Sequence, residues 1–177
     1  MRNKILLGVS ASVAIYKSLE LIRELSKHNI ETQVIMTKNA TKLISPLLFE
    51  TISGNPVFYD MFSPRIYSMP HIDLSKSAKT FLIAPATANV ISKIACGIAD
   101  DLLTTTALSF PGKIFIAPAM NSHMYLNPVF QENLKKLARF DKYVIIEPEE
   151  GELACGEEGI GRLAALDKIV STVLKYI

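Results

Sequence analysis

An α/β fold with a doubly wound parallel sheet is the class predicted by three features of the sequence. Short apolar runs recur five times, segments of helical spacing lie between several of them, and the chain closes on an amphipathic helix. The runs carry little polar alternation, as strands do when helices cover both faces of a sheet. With 177 residues, 49% of them hydrophobic, the sequence suits one domain over 1–177 with an ordinary core.

Ile5 to Val9 is the first run, and the small residues from Gly8 to Ser12 turn it into a segment where Ile15, Leu19 and Ile22 recur beside Leu21 and Leu25. Strand, tight turn and helix follow. Thr32 to Thr37 predicts a second strand, and 39–43 with 46–53 a helical stretch broken at Ser45-Pro46. Thr80 to Ala84, Ile114 to Ala117 and Tyr143 to Ile146 predict three more strands, stopped at Pro85, Pro118 and Pro148. A helical pattern resumes from Asn89 to Ala95. Leu166, Ile169, Val170, Val173, Leu174 and Ile177 mark the closing helix. The order of elements makes a single doubly wound, Rossmann/flavodoxin-like domain, its central parallel sheet flanked by helices.

The formal charge is +2, from 19 Lys and Arg against 17 Asp and Glu, and the basic residues are scattered. No nucleic-acid partner is expected, since that requires clustered positive charge. Ser10 and Ser12 interrupt the first apolar run after five residues, where a secretory leader needs roughly 7 to 15. No apolar stretch approaches the roughly 18 residues that would mark a membrane span. A soluble, cytoplasmic protein without a membrane partner is the expectation. The two cysteines permit at most one disulfide, which a chain of this length does not need. No two of His28, His71, His123, Cys96 and Cys155 stand at a recognised ligand spacing, so no metal is expected.

Ligands of such sheets bind beyond the carboxyl ends of the strands. Gly8, Ser10 and Ser12 lead into the first helix, where backbone N–H groups and two hydroxyls make a candidate phosphate seat. The dinucleotide fingerprint is not matched, and a plain βα turn explains the same residues. Thr37 either adds a hydroxyl or caps a turn. In Pro85-Ala86-Thr87-Ala88-Asn89, small residues let a flat ring approach the backbone, although Thr87 or Asn89 would equally serve as a helix cap. Asn121, in Pro118-Ala119-Met120-Asn121, ends the fourth strand with an amide suited to a carboxylate. His71 lies in Pro70-His71-Ile72-Asp73-Leu74, read as a Pro-initiated turn, with a capping or packing role as the alternative to chemistry. Gly151 to Arg162 places four glycines and Cys155 within twelve residues and is expected to be a loop, because glycine destabilises helices and strands.

Together these segments resemble the flavin-dependent phosphopantothenoylcysteine decarboxylases, within the homo-oligomeric flavin-containing cysteine decarboxylase family. GVSASVAIYK, MTKNAT, PHIDL, PATAN, GIADDLLTT, PAMNSHMYLNP and GELACGEEGIGR carry the resemblance, which runs end to end. It implies bound FMN, with Gly8, Ser10, Ser12 and Thr37 toward its phosphate and Thr87, Ala88 and Asn89 near the flavin. It implies His71 and Cys155 as catalytic and Asn121 as the binder of the substrate carboxylate. Ala11 and Ser12 depart from the consecutive glycines of many relatives, which bears on the phosphate contacts. The implied reaction oxidises the substrate thiol to a thioaldehyde, loses CO2 to an enethiol and reduces that product again, without an external reductant.

The resemblance further implies a homotrimer or homododecamer, with Asp100 to Leu103 close to a subunit boundary, and leaves open whether a phosphopantothenate-cysteine ligase is a separate partner chain. Two other readings stand beside it. A peptidyl-cysteine oxidative decarboxylase would stop at the enethiol, whereas Cys155 in its ACG motif favours completing the reduction. A non-catalytic flavin-binding regulatory subunit would not need both the His71 and the Cys155 motif. A flavin prenyltransferase shares the architecture but does not require the Cys155 segment.

Overall fold

A computed structural model describes residues 3–62, 69–154 and 156–177. Its elements are β1 (Asn3–Val9), α1 (Lys17–Lys27), β2 (Ile30–Met36), α2 (Pro46–Ser53), α3 (Pro70–Ser77), β3 (Thr80–Ala86), α4 (Ala88–Cys96), α5 (Leu102–Ser109), β4 (Lys113–Pro118), α6 (Ser122–Tyr125), α7 (Pro128–Ala138), β5 (Tyr143–Ile145), β6 (Glu149–Glu152), β7 (Glu158–Arg162) and α8 (Leu166–Leu174). Tight 3-10 turns at Val13–Tyr16 and Ala40–Lys42 precede α1 and α2.

Five parallel strands form the central sheet in the order β2-β1-β3-β4-β5, the flavodoxin-like order. Successive side chains alternate between its faces. Ile5, Leu7 and Val9, then Leu82 and Ala84, then Phe115 and Ala117 enter one core with Leu21, Leu25, Ile169 and Val173 of α1 and α8. Leu6, Phe81, Ile83, Ile114 and Ile116 enter the other with residues of α3, α4, α5 and α7. Both faces are apolar, which is why the strands lack polar alternation in sequence. Burial of Ile169, Val170 and Val173 fixes α8 to the sheet, at about 1.5–3 kcal/mol for each such side chain.

Three features differ from the sequence expectation. The segment 149–162 is an antiparallel pair, β6 with β7, rather than a loop throughout. Backbone pairing offsets the glycines, and the change of chain direction falls within 153–157. His71 sits in the first turn of α3, not in an isolated turn; Pro70 occupies the start of the helix, where its missing N–H costs no bond. Strand β3 runs through Pro85 to Ala86, with irregular pairing between Ile83 and Ala86 that accommodates a residue without an N–H.

Helix starts and stops follow local chemistry. Ser45 accepts from Leu47 N at the start of α2, and Gly54 closes that helix with φ 70°. Asp101 and Thr104 form a reciprocal capping box on α5. Asp100 meets Lys93 of α4 at 2.7 Å, and this contact holds the Lys93 ammonium above its usual range and the Asp100 carboxyl below its own. The first carboxylates of Asp100 to Leu103 thus brace the α4–α5 connection.

Candidate functional site

The switch in strand order lies between β1 and β3, and the loops leaving β1, β3 and β4 meet there. Long-range hydrogen bonds lock them in series. Ser10 is buried, 1% exposed; its Oγ donates to Pro85 O at 2.7 Å and accepts from Thr87 N at 2.9 Å. Ser18 Oγ of α1 donates to Ala84 O at 2.9 Å. Ala119 N donates to Ala86 O at 3.0 Å, and Met120 N donates to Gly161 O at 2.9 Å. The β6–β7 hairpin is thereby joined to the rim of the sheet.

A cavity of about 730 Å³ opens on this rim. One wall is the turn after β1, including Ala11, Ser12 and Lys17; the middle is Thr87 and Ala88; the far wall is Asn121 with Glu152 to Ala154 and Gly161 to Leu163 of the hairpin. The volume lies in the range of cofactor sites. Ser12 Oγ accepts from Ala14 N at 3.3 Å, and Thr87 Oγ1 accepts from Val90 N at 3.4 Å, so both hydroxyls also cap the helices behind them. Asn121 Oδ1 accepts from His123 N at 2.8 Å. That bond identifies the amide's oxygen and sets its donor nitrogen at the opposite end.

Of the residues expected at a cofactor site, Ser12, Thr87 and Ala88 line this cavity, as does Asn121. Gly8, Ser10, Thr37 and Asn89 are not among its lining residues. Gly8 faces the α5 side, where a Cβ would meet Leu103, Phe81 and Ile83 at 3.1–3.2 Å. It is a packing glycine. Ser10 spends its hydroxyl joining β1 to β3. Thr37 Oγ1 accepts from Ala40 N at 3.2 Å, a turn cap, and Asn89 is exposed in the first turn of α4. His71 is half-buried outside the cavity wall, and its buried Nδ1 has no hydrogen-bond partner among the described residues. Cys155 lies outside the described residues. Lys17 and Arg162 also line the cavity; sequence reasoning passed over both because a scattered Lys or Arg carries no local signal.

The fold and the rim cavity define a flavodoxin-like ligand-binding protein of the doubly wound class. Comparison with known proteins narrows this: the flavoprotein family model matches residues 1–177, and the chain belongs to that family. It is 42% identical over 178 residues to the probable phosphopantothenoylcysteine decarboxylase of Streptococcus mutans, covering 98% of each chain. It is 44% identical over 174 residues to the coenzyme A biosynthesis bifunctional protein CoaBC of Borreliella burgdorferi, covering 98% of this chain but 44% of that protein. The chain thus spans under half the length of the bifunctional relatives it matches. Among solved structures it resembles a PPC decarboxylase mutant complexed with pantothenoylaminoethenethiol, with TM-score 0.88, 30% identity and coverage of 99% and 98% of the two chains. It also resembles the FMN-dependent cysteine decarboxylase SpaF, with TM-score 0.86, 31% identity and coverage of 98% and 96%. Among the described residues no helix is long and apolar enough to cross a membrane.

Proposed function

We propose that this chain, acting as one domain over 1–177, binds FMN and decarboxylates phosphopantothenoylcysteine to phosphopantetheine and CO2, a step of coenzyme A biosynthesis in the cytoplasm. The observation that carries the reading is the meeting of Ser12, Thr87, Ala88 and Asn121 with the hairpin in one cavity. The relatives named above support the choice of substrate.

The residues fit FMN. The N–H groups of Ala11 and Val13 make no backbone hydrogen bond among the described residues, and they stand with Ser12 at a helical start suited to a phosphate. Ala88 and Thr87 offer a low wall for a flat ring. When bound, FMN supplies a two-electron acceptor and donor, which lets a cysteinyl carboxylate leave as CO2 with no outside reductant.

The protein's own groups then divide the work. The Asn121 amide donates to the substrate carboxylate; being neutral, it orients the group without the strong ground-state stabilisation that a cation would impose. His71 manages the thiol proton as a general acid–base. Its absence from the cavity lining supports assembly of the site from two copies of the chain, in a trimer or a set of trimers. Cys155 supplies the proton to the product carbon. The hairpin excludes water from these steps.

The test is direct. Purified protein should show oxidised-flavin absorbance and release CO2 from phosphopantothenoylcysteine, and it should act poorly on a peptide ending in cysteine. A colourless protein that cannot be reconstituted with FMN would sink the reading; preference for the peptide would favour the oxidative alternative.

A further inference from the structure

We propose that Arg162 selects a phosphorylated substrate, its guanidinium receiving the substrate phosphate at the mouth of the cavity. The proposal rests on the decarboxylase reading of the site. Among the described residues three charged side chains line the cavity, Lys17, Glu152 and Arg162. Arg162 is exposed on β7 and forms no ion pair among the described residues. This holds although the segment 149–158 carries Glu149, Glu150, Glu152, Glu157 and Glu158. Its cross-strand neighbour Glu149 is committed elsewhere, accepting from Ala165 N at 2.9 Å.

Instead the arginine lies across Gly151. A Cβ at that position would stand 3.1 Å from a guanidinium nitrogen and 3.6 Å from Cδ. The missing side chain at 151 leaves the lane the arginine occupies. Behind it, Gly161 is buried and bonded to Met120, so the backbone that carries Arg162 is tied to the Asn121 turn.

A guanidinium presents a planar fork of donors that matches phosphate or carboxylate. On the reacting carboxylate it would stabilise the charge that must be lost, binding the ground state more tightly than the transition state. In the proposed site the cofactor phosphate is seated at Ser12 and the neighbouring N–H groups, on the β1 side, with β3 between it and the β4 side where the hairpin is bonded. Arg162 pairs in register with Glu149 at the open end of the hairpin, and its guanidinium reaches back along the hairpin to the Gly151–Gly159 pair. With the reacting carboxylate assigned to Asn121 and the cofactor phosphate to the β1 side, the substrate phosphate is the anion left for the guanidinium.

The experiment compares wild-type and Arg162→Gln holoenzymes on phosphopantothenoylcysteine and pantothenoylcysteine, with calorimetric binding of phosphopantetheine and pantetheine. In the variant the ratio of kcat/KM for phosphorylated over unphosphorylated substrate should fall about 10- to 100-fold, mostly through KM. The Kd for phosphopantetheine should weaken by a similar factor, and Arg162→Lys should recover part of both. An unchanged ratio overturns the proposal, even if both substrates slow together. A weaker FMN Kd, read by flavin fluorescence, with that ratio intact would move the arginine to the cofactor and also overturn it. If the wild type turns over neither substrate, the decarboxylase reading fails by itself. Calorimetry then decides the arginine's role: a preference for phosphopantetheine lost in Arg162→Gln supports it, and no preference refutes it.

Discussion

Substituting Gly161 by Ala tests how the hairpin is held to the rim. Gly161 has φ 135°, and a Cβ there would stand 2.2 Å from Met120 O and 3.3 Å from Met120 C. These are backbone atoms, and Met120 N is already bonded to Gly161 O at 2.9 Å. Neither partner can yield without opening that bond. Positive φ costs a non-glycine residue about 1–2 kcal/mol, and a tight contact in a packed site adds about 1–3 kcal/mol, so the expected loss is about 2–5 kcal/mol. The less costly escape is for β6 and β7 to lift from the 120–122 turn, which removes the cavity wall formed by residues 152–154 and 161–163. Flavin-fluorescence titration should show FMN affinity at least about tenfold weaker, and hydrogen exchange should show faster exchange across β7 than across the central sheet. Two neighbours serve as controls. Gly156, at φ 81°, has nothing among the described residues within 4 Å of its Cβ position, and the Cβ of Gly159 would press on the Ser122 hydroxyl, a side chain able to rotate. Alanine at either should weaken FMN binding less. Wild-type unfolding and FMN affinity in Gly161→Ala would refute the docking argument.

Ser10→Ala should cost about 1–3 kcal/mol in urea denaturation, chiefly from the part-buried Thr87 N–H left without its acceptor, and should weaken FMN binding by displacing Thr87 rather than by removing a ligand. Cys155→Ser is expected to release CO2 yet accumulate the enethiol, detectable by mass spectrometry; normal yield of phosphopantetheine would remove Cys155 from its proposed role. Burial, followed by the 2.6 Å bond to Glu147, raises the Tyr125 phenol above its ordinary value. Because the folded state favours the neutral phenol, this stabilisation is complete below the unfolded value of about 10 and is lost as pH rises beyond it. The stability difference between wild type and Tyr125→Phe should therefore narrow above about pH 10; a constant difference would contradict the assignment. Tyr143, also raised by burial, leaves a slope of the same sign in both proteins, while Lys142, lowered by burial, opposes it.

The amino-acid sequence by itself determined the alternation of strands and helices, the five members of the sheet and the motifs of the flavoprotein family. Those signals are local: an apolar run such as Phe81 to Ala84, or the spacing from Leu166 to Val173, reports its own burial within a few residues. The hairpin was hidden because Glu149 to Glu152 and Glu158 to Arg162 offer glycine and glutamate where strand patterns offer β-branched residues; their pairing depends on backbone bonds that composition does not announce. Tertiary structure alone separated residues that looked alike in sequence. Gly8 and Ser12 belong to one turn motif, yet Gly8 packs under α5 and Ser12 lines the cavity. Ser10 became the fastener of the site through partners 75 and 77 residues away. Arg162 acquired its place because Gly151 clears its path and Gly161 fixes its strand to the sheet. The physical reason is that periodicity encodes which side of an element faces the core, whereas a site is made where crossover connections bring distant strand ends together.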